Sequence, residues 1–150
     1  MKKIGKITSF QGEYRWLSNF WPAPVEYDGL IYPTVENAYQ AAKTDPDLRL
    51  PFVNCPPEQA KRLGRKVPIR HGWENAKVNV MSTLLRKKFK DGELASRLLR
   101  TEGDEIIEGN GWGDTFWGIC QGKGENNLGK LLMKIRGELK KGTPDASKTL

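Results

Sequence analysis

The stretch Pro33-Thr-Val-Glu-Asn-Ala-Tyr-Gln-Ala-Ala-Lys43 constrains this chain more than any other. Thr34 is a strong helix N-cap, because its hydroxyl can accept from a free amide of the first turn, and Pro33 disfavours helix before it. At helical spacing Glu36, Tyr39, Gln40 and Lys43 share one side, and Val35, Ala38 and Ala42 form a small apolar back. Glu36 falls in the first turn, where the helix dipole favours the carboxylate over the acid. Read alone, the segment is a helix with a solvated polar face and an ordinary dipole-complementing Glu. The rest of the chain decides whether that face carries chemistry.

At 150 residues and 37% hydrophobic content, the chain is long enough for one core and is read as one domain. No apolar run is long enough to cross a bilayer, and Met1-Lys-Lys-Ile-Gly lacks the apolar segment of a signal peptide, so a cytoplasmic location is expected. Cys55 and Cys120 lack metal-ligand spacing and read as reduced thiols. With His71 the only histidine, a His-based triad or metal cluster is not expected. The net charge of +7 gathers around Lys61–Arg70, Arg86–Lys90 and the last helix, which suits a phosphorylated ligand or nucleic acid. Solvated helix faces account for most of these lysines equally well.

In chain order, Ile4 to Phe10 is read as an edge strand. Asn19, inside the aromatic run Tyr14 to Trp21, either braces a loop or presents its amide to a ligand. Val25 to Tyr32 reads as a hairpin turning at Asp28-Gly29. Thr44 to Pro57 is proline-rich and predicts short helical turns and loop. Helices are predicted at Pro57 to Leu63, closed by Gly64, and at Trp73 to Lys90 with Trp73, Val80, Met81, Leu84 and Leu85 as its apolar stripe. Lys77 lies inside that stripe and either snorkels outward or is kept for a ligand. Glu93 to Arg100 is a short helix and Asp104 to Glu108 a strand. Gly109 to Gly118 is too glycine-rich for a regular element. Gly122-Lys-Gly-Glu-Asn126 precedes the helix Asn127 to Lys140, either as an anion cradle countered by Lys123 or as a tight turn. Gly142 to Leu150 reads as a polar, disordered tail.

Several motifs occur together and in order: Leu17-Ser-Asn-Phe20, Asp28-Gly29, Tyr32 to Lys43, Leu63-Gly-Arg65, Trp73-Glu-x-x-Lys77, Met81, Lys88-Phe89, Asp114-Thr-Phe-Trp-Gly118 and Gly122 to Gly129. Together, from about Tyr14 to Leu139, they resemble the NADAR, or YbiA-like, family. The resemblance implies a single compact α+β domain, mainly helical with a small hairpin sheet, over residues 1–141. It also implies cleavage of an N-glycosidic bond. The family's substrates are phosphoribosylated aminopyrimidines of riboflavin synthesis and ADP-ribose on guanine of nucleic acid, and its name reflects a proposed link to NAD. Thr44 after Lys43, Val35 before Glu36 and the run Trp117-Gly-Ile-Cys120 depart from the family pattern and bear on the substrate.

Breaking a ribosyl C–N bond passes through an oxocarbenium-like state, which calls for a carboxylate to stabilise positive charge and direct water. Glu36 is the first candidate. Asp114 is the second, to hold ribose hydroxyls or share acid–base work, with an Asx-turn residue as the structural alternative. Trp73 or Trp117 could stack on a base or be core. Lys43, Arg65, Lys77 and Lys123 could neutralise phosphate, and Asn19 and Asn126 could bond ribose or base edges or brace loops. Ser18 and Tyr39, from the matching motifs, and Gly122 and Gly124, around Lys123, complete the substrate-binding set. No cofactor and no metal ligand are expected. The leading reading is an N-glycosidase removing ADP-ribose from guanine in nucleic acid or nucleotide, with the basic helices touching DNA or RNA. The alternatives are the same chemistry on a phosphoribosylaminopyrimidine, or a non-catalytic module binding ADP-ribose, NAD or nucleic acid.

Overall fold

The structure, a computed structural model, describes residues 5–142. The fold is α+β and mainly helical, in chain order β1 (Lys6–Ile7), β2 (Val25–Tyr27), β3 (Leu30–Tyr32), α1 (Val35–Ala42), α2 (Pro57–Gly64), α3 (Trp73–Lys88), α4 (Gly92–Arg100), β4 (Glu105–Ile106), β5 (Gly109–Asn110), β6 (Ile119–Cys120) and α5 (Asn127–Gly142). Contacts divide the chain into two units, Gln11–Lys88 and the described part of Met1–Phe10 with Phe89–Leu150.

In the unit Gln11–Lys88 the hairpin turns at Asp28 and Gly29, both at positive φ, as a tight two-residue turn requires. It delivers the chain to Thr34, whose Oγ1 accepts from the Asn37 amide at 3.0 Å. The solvated face weighed for this helix read alone is not found: all eight residues of α1 are buried. The reason is that the hairpin, α2, α3 and a 3-10 turn at Leu50–Phe52 all pack on it. Several of its polar side chains bond internally, although Gln40 Oε1 has no hydrogen-bond partner. Asn37, fully buried, donates to Phe52 O at 2.9 Å and Cys55 O at 2.8 Å and so holds the proline-rich segment against the helix. At the other end Arg49 Nε donates to Ala41 O and Thr44 O, and Arg70 Nε to Ala42 O at 2.7 Å. Two guanidinium groups thus answer the orphan carbonyls and the negative end of the helix dipole.

The helix predicted at Trp73 ends at Lys88, and all five residues of its expected stripe are buried. Lys88 continues the stripe: it is 5% exposed, and its Nζ donates to Ser18 O at 2.8 Å.

In the second unit β1 pairs with β4 in parallel, Lys6 opposite Glu105. The predicted strands there are shorter than expected, and Ile4 lies outside the described residues. The glycine-rich run is more regular than expected, because Gly109 and Asn110 pair in parallel with Ile119 and Cys120. Glycine permits this close approach: a Cβ on Gly118 would stand 2.1 Å from Glu108 O. Leu128, Leu132 and Ile135 are the buried stripe of α5, and Gly142 is its last residue. The rest of the predicted tail, 143–150, lies outside the described residues.

Candidate active site

The polar side of α1 gathers the sequence candidates of the unit Gln11–Lys88. Glu36 is 8% exposed, and its Oε2 accepts from Gln40 Nε2 at 2.6 Å, one helical turn on. The Glu36 amide donates to Asn19 O at 3.0 Å, which ties the Leu17–Phe20 segment to the first turn of α1. Burying a carboxylate carries a desolvation cost that its hydrogen bonds must offset, which makes Glu36 a candidate for function.

Lys43 interacts electrostatically with that carboxylate. Burial pushes Lys43 below the ordinary lysine value; attraction to Glu36 opposes this, and repulsion by Arg65, Lys61 and Lys77 adds to it. Lys43 Nζ stands 5.7 Å over the Tyr39 ring, Tyr39 packs at 5.2 Å on Trp73, and the Arg70 guanidinium lies 5.4 Å over Trp73. Trp73, 4% exposed, is therefore a core ring covered by Tyr39 and Arg70, and not an open stacking platform. Lys77 neither snorkels freely nor lies bare; its half-buried side chain pairs with Glu74 at 2.8 Å. Arg65 is exposed. A cavity of about 350 Å³ opens along the loop into α3, from Ile69 through Arg70 and Trp73 to Asn75.

Asn19 is buried, its Nδ2 making only a long 3.6 Å contact to Met81 Sδ and its Oδ1 lacking a hydrogen-bond partner. An unanswered buried amide oxygen costs about 1–3 kcal/mol unless a donor reaches it. Ser18 is a turn brace: its Oγ accepts from Phe20 N and its carbonyl from Lys88.

The candidates of the second unit play mostly bracing parts. Asp114 Oδ1 accepts from the amides of Phe116 at 3.1 Å and Trp117 at 2.9 Å, the Asx turn foreseen as its alternative. Asn110 closes the same loop, bonding both the Asp114 amide and carbonyl. Trp117 packs edge-on to Phe116 at 4.8 Å. Gly122, Lys123 and Gly124 form a tight turn, with Cys120 and Lys123 exchanging backbone bonds. The amides of Asn127 and Leu128, at the start of α5, are taken by Phe116 O and Trp117 O, which removes them from any anion cradle. Asn126, 6% exposed, spans Glu108 N and Ile106 O as a strand brace.

Sequence reading gave no role to Asn37 or Arg49, placed Gln40 only on the polar face of the helix, and counted Arg70 and Lys88 only among the basic residues suited to a phosphorylated ligand or nucleic acid. Lys88 was legible, seven residues beyond Met81 and four beyond Leu84 on the α3 stripe. The arginine caps were not, because they come from distant loops. Cys55 and Cys120 are free thiols. Among the described residues no helix is long and apolar enough to cross a membrane, and no group of three His, Cys, Asp or Glu is placed to hold a metal.

This fold and motif order define a known class of domain. The NADAR domain model matches residues 8–140, and the chain belongs to the NADAR family. The N-glycosidase YbiA of Escherichia coli is 38% identical over 137 residues, covering 87% of this chain and 85% of that protein. An N-glycosidase of Nostoc punctiforme is 35% identical over 136 residues, covering 85% of this chain and 86% of its own length. A riboflavin biosynthesis protein of Vibrio vulnificus is also 38% identical, over 86% of this chain but only 36% of that longer protein. The NMR structure of E. coli YbiA superposes with a TM-score of 0.81 at 35% identity, covering 97% of this chain and 91% of the other.

Proposed function

We propose that this chain is a hydrolase of N-glycosyl bonds that cleaves the C–N bond between a phosphorylated ribosyl group and a base, with Glu36 as its catalytic carboxylate. The observation that carries this reading is the buried Glu36–Gln40 pair at 2.6 Å, with Lys43 in electrostatic reach of Glu36 and Lys61, Arg65 and Lys77 in reach of Lys43. As the C–N bond lengthens, positive charge grows on the ribosyl C1′ and ring oxygen. A fixed carboxylate in a poorly hydrated site stabilises that charge strongly and can take the proton of the attacking water. The Gln40 donor holds the carboxylate in one orientation, so little reorganisation is needed as the charge develops. Lys43, Lys77 and Arg65 supply charge for the phosphate, Arg65 with a planar fork suited to two oxygens. The Asn19 amide oxygen is an acceptor for a ribose hydroxyl, and the cavity along 69–75 has room for a base. Asp114 enters this reading as the residue that shapes the loop beside Trp117.

Relatives named for riboflavin biosynthesis favour a phosphoribosylaminopyrimidine as the substrate. The second reading, ADP-ribose on guanine in nucleic acid or nucleotide, is favoured by the +7 charge, which suits more than one phosphate. Comparing kcat/KM on the two compounds decides between them: at least a hundredfold preference for the pyrimidine supports the first, and the reverse, with steep salt dependence on DNA, supports the second. We take residues 1–141 as the enzyme domain and the cytoplasm, which keeps Cys55 and Cys120 reduced, as its place of action.

A further inference from the structure

We infer that Gly64 and Gln40 are positioning residues for Glu36, acting as a relay from the last residue of α2 to the carboxylate. The inference rests on the reading of Glu36 given above. A Cβ built on Gly64 would stand 1.8 Å from Gln40 Oε1, 2.7 Å from its Cδ and 3.3 Å from its Cβ. The Gln40 side chain is therefore laid flat on the bare Gly64 Cα. Gln40 is 5% exposed and its Oε1 has no hydrogen-bond partner, while its Nε2 stands 2.6 Å from Glu36 Oε2. Chemistry fixes which end of the amide faces which neighbour, since an amide oxygen turned toward a carboxylate would meet only repulsion. The oxygen must then lie against Gly64, and only a residue without a side chain leaves room for it.

Close packing of α1 on α2 would also call for a glycine at this position. It does not call for an orphaned amide oxygen, and buried polar atoms without partners are few in folded proteins. The glycine thus does more than let two helices approach: it sets where the Gln40 donor stands, and through it the direction of the Glu36 carboxylate. A methyl group at 64 forces Gln40 to swing and takes the donor off Oε2.

A double-mutant cycle tests the relay, with kcat and KM measured on the better of the two substrates. Gly64→Ala is expected to lower kcat at least tenfold with KM within about twofold. In a Gln40→Ala background the same change is expected to cost nothing further, because the group it collides with is gone. Equal losses in both backgrounds would make Gly64 a packing residue only and overturn the relay. Gln40→Met keeps length without the donor and covers the case in which Gly64→Ala does not fold; it too is expected to lose at least tenfold in kcat, and full activity overturns the relay. Glu36→Gln separates the two levels. If it is inactive while the cycle is additive, the relay alone falls; if it is fully active, the catalytic reading falls and the relay with it.

Discussion

Lys88 Nζ donates to Ser18 O at 2.8 Å from a side chain that is almost wholly buried, and burial lowers its pKa to about 7 from 10.5. The bond joins the end of α3 to the segment whose next carbonyl, Asn19 O, receives the Glu36 amide. Because the ammonium form is disfavoured in the fold, the unfolded chain binds the extra proton between pH 7 and 10.5. Stability contributed by this group therefore rises with pH through that window. In urea denaturation, wild type is expected to gain roughly 2 kcal/mol more between pH 7 and 9 than Lys88→Met, which has no such proton. Parallel pH profiles for the two proteins would show that Lys88 keeps an ordinary lysine pKa.

Asn37 is the polar pin of α1. Its amide holds Phe52 O and Cys55 O in a place with no access for water. Asn37→Ala leaves both carbonyls unanswered and a small void, an expected loss of about 2–4 kcal/mol. A change below about 1 kcal/mol in the urea midpoint analysis would show that the proline-rich segment is held by packing alone.

Glycines on two helices should respond in opposite senses. Gly137 lies inside α5, exposed, with nothing within 4 Å of an added Cβ, so Gly137→Ala is expected to stabilise by about 0.5–1 kcal/mol. Gly64→Ala, with Gln40 in the way, is expected to destabilise by about 1–3 kcal/mol. Thermal melts of the two variants give the sign directly, and a rise in both melting temperatures would contradict the packing at Gly64.

Lys43→Met addresses phosphate recognition. The charge is desolvated and lies close to Glu36, Arg65, Lys61 and Lys77. Its removal is expected to raise KM about tenfold or more for a phosphorylated substrate and to affect the dephosphorylated analogue little. An equal effect on both compounds would move Lys43 away from the phosphate.

Most of the secondary structure could be read from local rules. Thr34, Asp28-Gly29 and the stripe of α3 act over a few residues, and the structure places the cap, the turn and the helices within a residue or two of expectation. The burial of α1 on every side could not be read this way. Ala38, Ala41 and Ala42 are small because α2, α3 and the hairpin press close, a fact of tertiary packing that looks in sequence like a weak apolar back. The roles of Asn126 and of the turn at Gly122 were legible only as alternatives, and hydrogen bonds to Ile106, Glu108 and Cys120 decide for the bracing ones. Gln40 was visible on the right face of the helix. Its partner Gly64 lies 24 positions away, and no periodicity connects them.

The most direct measurement of the central claim is product analysis by mass spectrometry for wild type and Glu36→Gln, each incubated with the phosphoribosylaminopyrimidine and with ADP-ribosylated guanine DNA. The account predicts that wild type releases ribose phosphate or ADP-ribose from one of these, with one oxygen of the freed sugar taken from labelled water. It predicts that Glu36→Gln, folded and equal to wild type in its melting curve, loses at least a thousandfold in rate. Undiminished release by Glu36→Gln, or no release from either compound by wild type, would contradict it.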